Sequence, residues 1–293
     1  MSNPRIATQL SDALPALPPF DNHRILVQLI VNVECWRFDA PMPRKLLGSP
    51  HGRDNVPDIP NFSWVEYGMR AGLPRLIREL SERGIPASAS MNASVITVYP
   101  HAAQAIAEAG WEFIGHGVSQ QSLPGSDDEV AVVTETVETM QSFTGRQPRG
   151  WLGPGLAETM ATPDVLSAAG IDYVCDWVVD DVPVWLHASP HPLVAIPYTL
   201  ELNDSVLYAA QWHSIEEYER RLAATLDLFE EECRRAPRVL SVALHPHLIG
   251  VPHRFAGFRR MLDRLQESAE VVFVTGEQTS DWFRAACPEP GVH

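Results

Sequence analysis

Short apolar, β-branched runs alternate with segments of helical periodicity along nearly the whole chain, and this alternation restricts the fold more than any other feature. Arg24 to Val33 (RILVQLIVNV) reads as a strand covered on both faces, because its apolar character is almost continuous. Cys35 to Asn61 then carries seven prolines or glycines and no period. That predicts a long loop, and loops of such length inside compact domains are usually functional. Arg70 to Arg83 sets Leu73, Leu76, Ile77 and Leu80 on one helical face, with Gly84 placed to end the helix.

The same signals recur downstream. Strands are expected at Ile85 to Met91, Trp111 to Gly115, Gly150 to Gly153, Tyr173 to Val178, Leu193 to Tyr198, Val239 to His245 and Val271 to Val274, with helices between most of them. In the helix after His213, Ser214 and Glu217 have the spacing of a capping box. Roughly eight strands alternating with helices imply a parallel sheet, either closed or doubly wound. No GxGxxG or P-loop follows a strand, so the nucleotide-binding open sheets lose their main support. The expectation is an α/β fold, a distorted (β/α) barrel of seven to eight strands, with residues 1–293 as one domain and residues 1–23 as an N-terminal extension.

Composition narrows the partners. The formal net charge of −15 repels phosphate backbones and anionic headgroups, which disfavours nucleic acid and membrane surfaces. The first residues lack a basic segment followed by an apolar one, so a cytoplasmic location is expected. Cys35, Cys175, Cys233 and Cys287 are far apart with no CxxC pair and read as free thiols, without a disulfide or a cysteine zinc site.

In a barrel the active site lies at the C-terminal ends of the strands. Glu34, His116 and His245 fall there, as do Trp151, Trp177, Asp180 and Asp181. Each has a plainer reading. A lone histidine at a strand end is more often a hydrogen-bonded structural group than a catalyst; Glu34 could pair with an arginine; the Asp pair could be a solvated turn; and both tryptophans could be wall or core. His51, His101, His247 and His253 read as loop or surface histidines. There is no GxSxG elbow and no cysteine in a nucleophile setting.

From Arg24 to Arg284 the chain resembles the NodB-homology polysaccharide deacetylase superfamily, and within it the intracellular branch of allantoinases and cyclic-imide hydrolases. The resemblance rests on five stretches in the family's order: WVEYGMRAG (Trp64 to Gly72), the GHG around His116, DWVVDDVPVW (Asp176 to Trp185), IPYTLELND (Ile196 to Asp204) and LHPHLIGVPHR (Leu244 to Arg254). It implies a hydrolase that opens a C–N bond, most naturally in a small ring amide such as allantoin, a hydantoin or an imide, by activating water rather than through a Ser or Cys nucleophile. It also implies a homo-oligomer, a dimer or tetramer.

Two departures qualify it. The family places two acids at the end of the first strand, where this chain has Asn32 and Glu34, and two metal-binding histidines four residues apart, where this chain has His116 and Gln120. An amide cannot act as a base. A site without metal is therefore favoured; zinc or another divalent ion on Glu34, His116 and Gln120 or His245 is the alternative. In the expected mechanism Glu34 activates water, His116 holds or shares its proton, and His245 protonates the leaving nitrogen. The oxyanion would be met by backbone N–H groups of Gly150 to Gly155 or by Arg70. Trp151, Trp177 and Trp185 would wall the pocket, Asp180 would touch substrate, and Asn203 and Asp204 are weaker candidates for that contact. Two other readings stay open: a metal-dependent deacetylase of a linear or sugar N-acyl compound, and an inactive relative that binds a ligand.

Overall fold

The computed structural model describes residues 3–11, 16–48 and 54–289. Its strands are β1 (Ile25–Val33), β2 (Ser88–Met91), β3 (Glu112–Gly115), β4 (Gly150–Trp151), β5 (Tyr173–Val174), β6 (Val184–Leu186), β7 (Leu193–Ala195), β8 (Arg238–Leu244) and β9 (Val271–Phe273). The helices are α1 (Ile59–Tyr67), α2 (Leu73–Glu82), α3 (Val95–Val98), α4 (Pro100–Glu108), α5 (Glu129–Thr144), α6 (Thr162–Ala168), α7 (Ile215–Glu232), α8 (Pro252–Gln266) and α9 (Gly276–Ala286).

The continuous apolar run of β1 is explained by its position. One edge pairs with β8 from Ile25 to Val31, and the other takes β9 against Ile25 to Val27 and β2 against Ile30 to Val33. Helices cover it: Leu73, Leu76 and Leu80 of α2, Leu222 and Leu226 of α7, and Phe258 of α8 share one core cluster with Val27, Leu29 and Val31. All nine residues of the strand are buried.

The sheet runs β6-β7-β5-β4-β3-β2-β1-β8, with every pairing parallel except β6 with β7. It curls into a half-barrel, and the gap between its ends is spanned by irregular chain. Val239 N–H donates to the carbonyl of Asp181 and Ala243 N–H to that of Leu202, each at 2.9 Å, while Asn203 bridges Ala243. The chain on either side of β6 and β7 is thereby tied to β8, and Asn203 and Asp204 are brought beside the end of that strand.

Several local expectations change. α1 starts inside the segment expected to be loop, because Asp58 caps it by accepting the N–H of Asn61. Strand β6 was not anticipated: three residues bordered by proline and histidine carry too little pattern. Ser214 makes no side-chain cap on α7 and Glu217 pairs with Arg220 and Arg221; a capping box forms instead at α9, between Thr275 and Gln278. The four cysteines are free thiols. No described helix is long and apolar enough to cross a membrane.

Candidate active site

β1 and β8 lie side by side, so the residues just past their last paired positions emerge together. Val31 pairs with Leu244, and Glu34 and His245 therefore meet: His245 Nε2 lies 3.4 Å from Glu34 Oε1. The other face of the imidazole is held by Asp204, which has no exposed surface. One Asp204 oxygen is 2.6 Å from His245 Nδ1 and the other accepts the His245 backbone N–H at 2.7 Å. Two contacts from one carboxylate fix the orientation of the ring and the protonation of Nδ1.

Glu34 is equally constrained. Trp36 Nε1 donates to its Oε2 at 2.7 Å and Gln120 Nε2 to its Oε1 at 3.0 Å. Burial pushes the Glu34 carboxyl up, but the bond from His245 and the charges of His245, His247 and His116 outweigh it and hold it down at about 2. Burial likewise opposes a charged His245, yet Asp204 and Glu34 together push it up to about 9. Near neutral pH the centre is an imidazolium between two carboxylates.

His116, at the end of β3, offers Nδ1 to the carbonyl of Leu152. A carbonyl only accepts, so Nδ1 carries the proton and Nε2 has a lone pair. That nitrogen is buried without a partner, as is Oε1 of Gln120. Burial lowers the affinity of His116 for a second proton, with Glu34 and Gln120 working the other way. One proton on Nε2 would serve both orphaned atoms.

These side chains line a cavity of about 500 Å³, together with Asn32, Tyr198, Asn203 and His247, and Trp36, Pro43 and Arg44 of the long loop lie over it. His247 corrects the sequence reading. It is 3% exposed, packs edge-on against Trp36, Trp64 and His245, and burial drives its pKa down to about 3. His101 and His253 are exposed as expected, and His51 lies outside the described residues.

Five residues expected at the substrate are elsewhere. Trp151 is fully buried in the core, seated over Gly115, where an added Cβ would come within 2.8 Å of the indole. Trp177 gives its N–H to Glu158 at 2.8 Å. Asp180 accepts from Ser11 at 2.8 Å, and Trp185 packs against Phe283; both line a second cavity instead. Arg70 lies in a π turn, Gly68–Gly72, whose glycines press against the backbone of His247 and Pro246, so the residue between them faces solvent. Asn203 does line the pocket. Sequence reasoning missed the tie between Asp204 and His245, the burial of His247, and Tyr198; all lie in the stretches IPYTLELND and LHPHLIGVPHR, but those stretches do not show which side chains meet.

Of the backbone donors expected for the oxyanion, those of Gly150 to Gly153 are committed, while Gly155 lines the cavity. Gly150 and Trp151 are in the sheet, Leu152 N–H goes to Gly115 and Gly153 N–H to Asp176.

A divalent ion of the kind used by deacetylases needs about three protein donors. Glu34 is taken up by Trp36, Gln120 and His245, the fully buried atoms left without a partner are His116 Nε2 and one amide oxygen, and His247 adds an imidazole to the cavity wall. Among the described residues no group of three His, Cys, Asp or Glu side chains is disposed to hold a metal. The donor set does not fit the ion.

Residues 62–174 match the polysaccharide deacetylase family model. That segment, from α1 to β5, is similar to the polysaccharide deacetylase domain. A Schizosaccharomyces pombe protein described as a polysaccharide deacetylase is 26% identical over 246 residues, 77% of each chain. Among solved structures, PuuE allantoinase superimposes with a TM-score of 0.84 at 24% identity, over 95% of this chain and 96% of that one. A Pseudomonas aeruginosa PAO1 protein described as a polysaccharide deacetylase gives 0.84 at 25% identity, over 95% and 97%. The fold is thus the NodB-like (β/α) barrel. The relatives with deacetylase and allantoinase names are hydrolases of carbon–nitrogen bonds other than peptide bonds.

Proposed function

We propose that this chain hydrolyses a C–N bond in a small cyclic amide of the allantoin, hydantoin or cyclic-imide type. The observation that carries the reading is the Asp204–His245–Glu34 array in a recessed cavity of about 500 Å³: a proton donor charged at neutral pH, facing a volume suited to a small molecule. A ring nitrogen leaves only if it gains a proton as the C–N bond breaks, and His245 is the group placed to give it.

Glu34 orients the attacking water and accepts its proton, with His116 as the second basic group. In the resting state its carboxylate is a weak base, chiefly because the charge of His245 holds its pKa down. As Glu34 takes the water proton, His245 loses the charge of one of its two carboxylate partners and becomes a better proton donor to the leaving nitrogen. Acid and base steps therefore reinforce each other, as coupled sites do. Water supplies hydroxyl to the carbonyl carbon and hydrogen to the nitrogen, and the ring opens to a carboxylate and an amine-side product.

One observation favours a second reading, metal-dependent deacylation of a linear N-acyl compound. His116 has the tautomer of a metal ligand, with Nδ1 on a carbonyl and Nε2 free. Turnover of allantoin, hydantoins, succinimide-type rings and N-acetylated amines or sugars, compared on one preparation, separates the two. Ring opening without linear deacetylation is expected; the reverse pattern would replace the first reading with the second.

A further inference from the structure

The hydrogen-bond inventory around Tyr198 leaves one proton unassigned. Asn203 Oδ1 accepts the backbone N–H groups of Ser205 and Val206, at 2.9 and 3.4 Å, which fixes that amide and turns Nδ2 toward Tyr198 Oη at 3.4 Å. Asn32 is fixed in the same manner. Its nitrogen donates to the carbonyl of Leu244 at 3.3 Å and to Tyr198 Oη at 2.9 Å. The phenol oxygen therefore receives two N–H bonds, which uses its accepting capacity. Its own O–H has no acceptor among the described residues, while Tyr198, Asn32 and Asn203 all line the cavity. The remaining direction for that proton is into the cavity.

We propose that the Tyr198 hydroxyl donates a hydrogen bond to the carbonyl oxygen of the substrate and to the oxyanion formed from it. This rests on the amide-hydrolysis reading. Water oxygen bonds to the carbonyl carbon as Glu34 takes the water proton, the C=O pair moves onto oxygen, and the oxyanion takes the Tyr198 bond without proton transfer from the phenol. Collapse restores the C=O and breaks the C–N bond as nitrogen takes the proton of His245. Burial, with the charge of Asp204 and Glu34 nearby, keeps the phenol well above its ordinary pKa although the bond from Asn32 works against this, so the proton is retained.

The assignment also gives Asn32 a purpose. An aspartate there would accept the phenol proton and draw it away from the cavity; the amide, held nitrogen-first by Leu244, can only donate. With Arg70 outside the pocket and the amides of Gly150 to Gly153 engaged, Tyr198 takes over the task those groups cannot perform.

The test combines turnover with a measurement that needs none. On whichever amide is hydrolysed, Tyr198→Phe should lower kcat by ~10²–10³-fold with KM changed only a few-fold, as for loss of an oxyanion donor. Asn32→Asp should lower kcat comparably, and the double variant should add little further loss. By calorimetry, methylphosphonate, a small tetrahedral anion, should bind wild type and bind Tyr198→Phe at least about tenfold more weakly. Unchanged kcat in Tyr198→Phe, equal phosphonate binding by both proteins, or no binding by wild type would each overturn the proposal. If no ring amide is turned over while phosphonate binding still depends on Tyr198, the donor stands and the ring-amide reading falls.

Discussion

Two carboxylates at opposite ends of the same part of the sheet are enclosed and fully partnered, yet only one is built for chemistry. Glu112 opens β3 and accepts from Ser88, from Tyr173 at 2.6 Å, and from the backbone N–H groups of Gly276 and Glu277 at the start of α9. Burial still pushes its carboxyl up. Glu34 ends β1, borders a cavity, and is held down by the hydrogen bond and charge of His245. Neutral donors around Glu112 make a staple between sheet and helix. Charged, titratable neighbours around Glu34 make a group whose basicity changes when a proton moves. Enclosure alone does not mark a catalytic acid; the neighbours must themselves be able to exchange a proton.

The sharpest way to break this contrast is to neutralise each acid. Glu34→Gln keeps the shape and removes the charge, and kcat should fall by ~10²–10⁴-fold while the urea midpoint shifts little. A variant keeping more than about a tenth of the wild-type rate would remove Glu34 from the base role. Glu112→Ala should do the opposite, costing about 2–4 kcal/mol of stability because several buried donors lose their acceptor, with kcat per folded molecule within about twofold of wild type. Loss of kcat in Glu112→Ala at full folding would show that the staple end also governs the site.

How much of this could be read from the chain follows the same division. β1 and β8 were legible because strands buried on both faces write continuous apolar runs, and α2 because its stripe is repeated over several turns. Glu34, His116 and His245 were found as polar residues at strand ends, where a barrel exposes them. The partners were not legible. Asp204 reaches His245 across 41 positions of sequence through the segment that closes the barrel, and that closure has no periodic signal. His247 was misread because it follows a proline beyond the strand, although the loop above turns it inward against Trp36 and Trp64. Trp151 and Trp177 were assigned to the pocket from their place at strand ends, but Gly115 makes room for Trp151 on the core side of the sheet.

A smaller effect sharpens the role of the Asp204 clamp. His245 has a folded pKa raised to about 9 from an ordinary 6.5, so its stabilising contribution is complete below that ordinary value and is lost as pH rises through about 9. The alkaline limb of kcat/KM should fall in the same window. Asp204→Asn removes a main cause of the rise, and both the limb and the stability loss should move toward neutral by about one pH unit or more. An alkaline limb that stays in place in Asp204→Asn would mean that another group supplies the proton.

The smallest expected effect separates the two readings of His116. If its free Nε2 is a second basic group beside Glu34, removing divalent ions changes nothing that the reaction uses, and kcat should be unaltered after exhaustive dialysis against a chelator. If that nitrogen instead completes a metal site, Glu34 would have to leave at least one of its present partners, Trp36, Gln120 or His245, to become a ligand. The ion would then both order the site and set its activity. Two readouts follow from that difference: turnover, and the pH of the alkaline limb, since a cation beside Glu34 would weaken its hold on the His245 proton and lower that pH. Activity and limb position both insensitive to chelator and to added zinc are the expected outcome. A loss that zinc restores, with the limb moving as the ion returns, would show that the orphaned nitrogen is a ligand and that Glu34, like Glu112, is a carboxylate defined by what it holds.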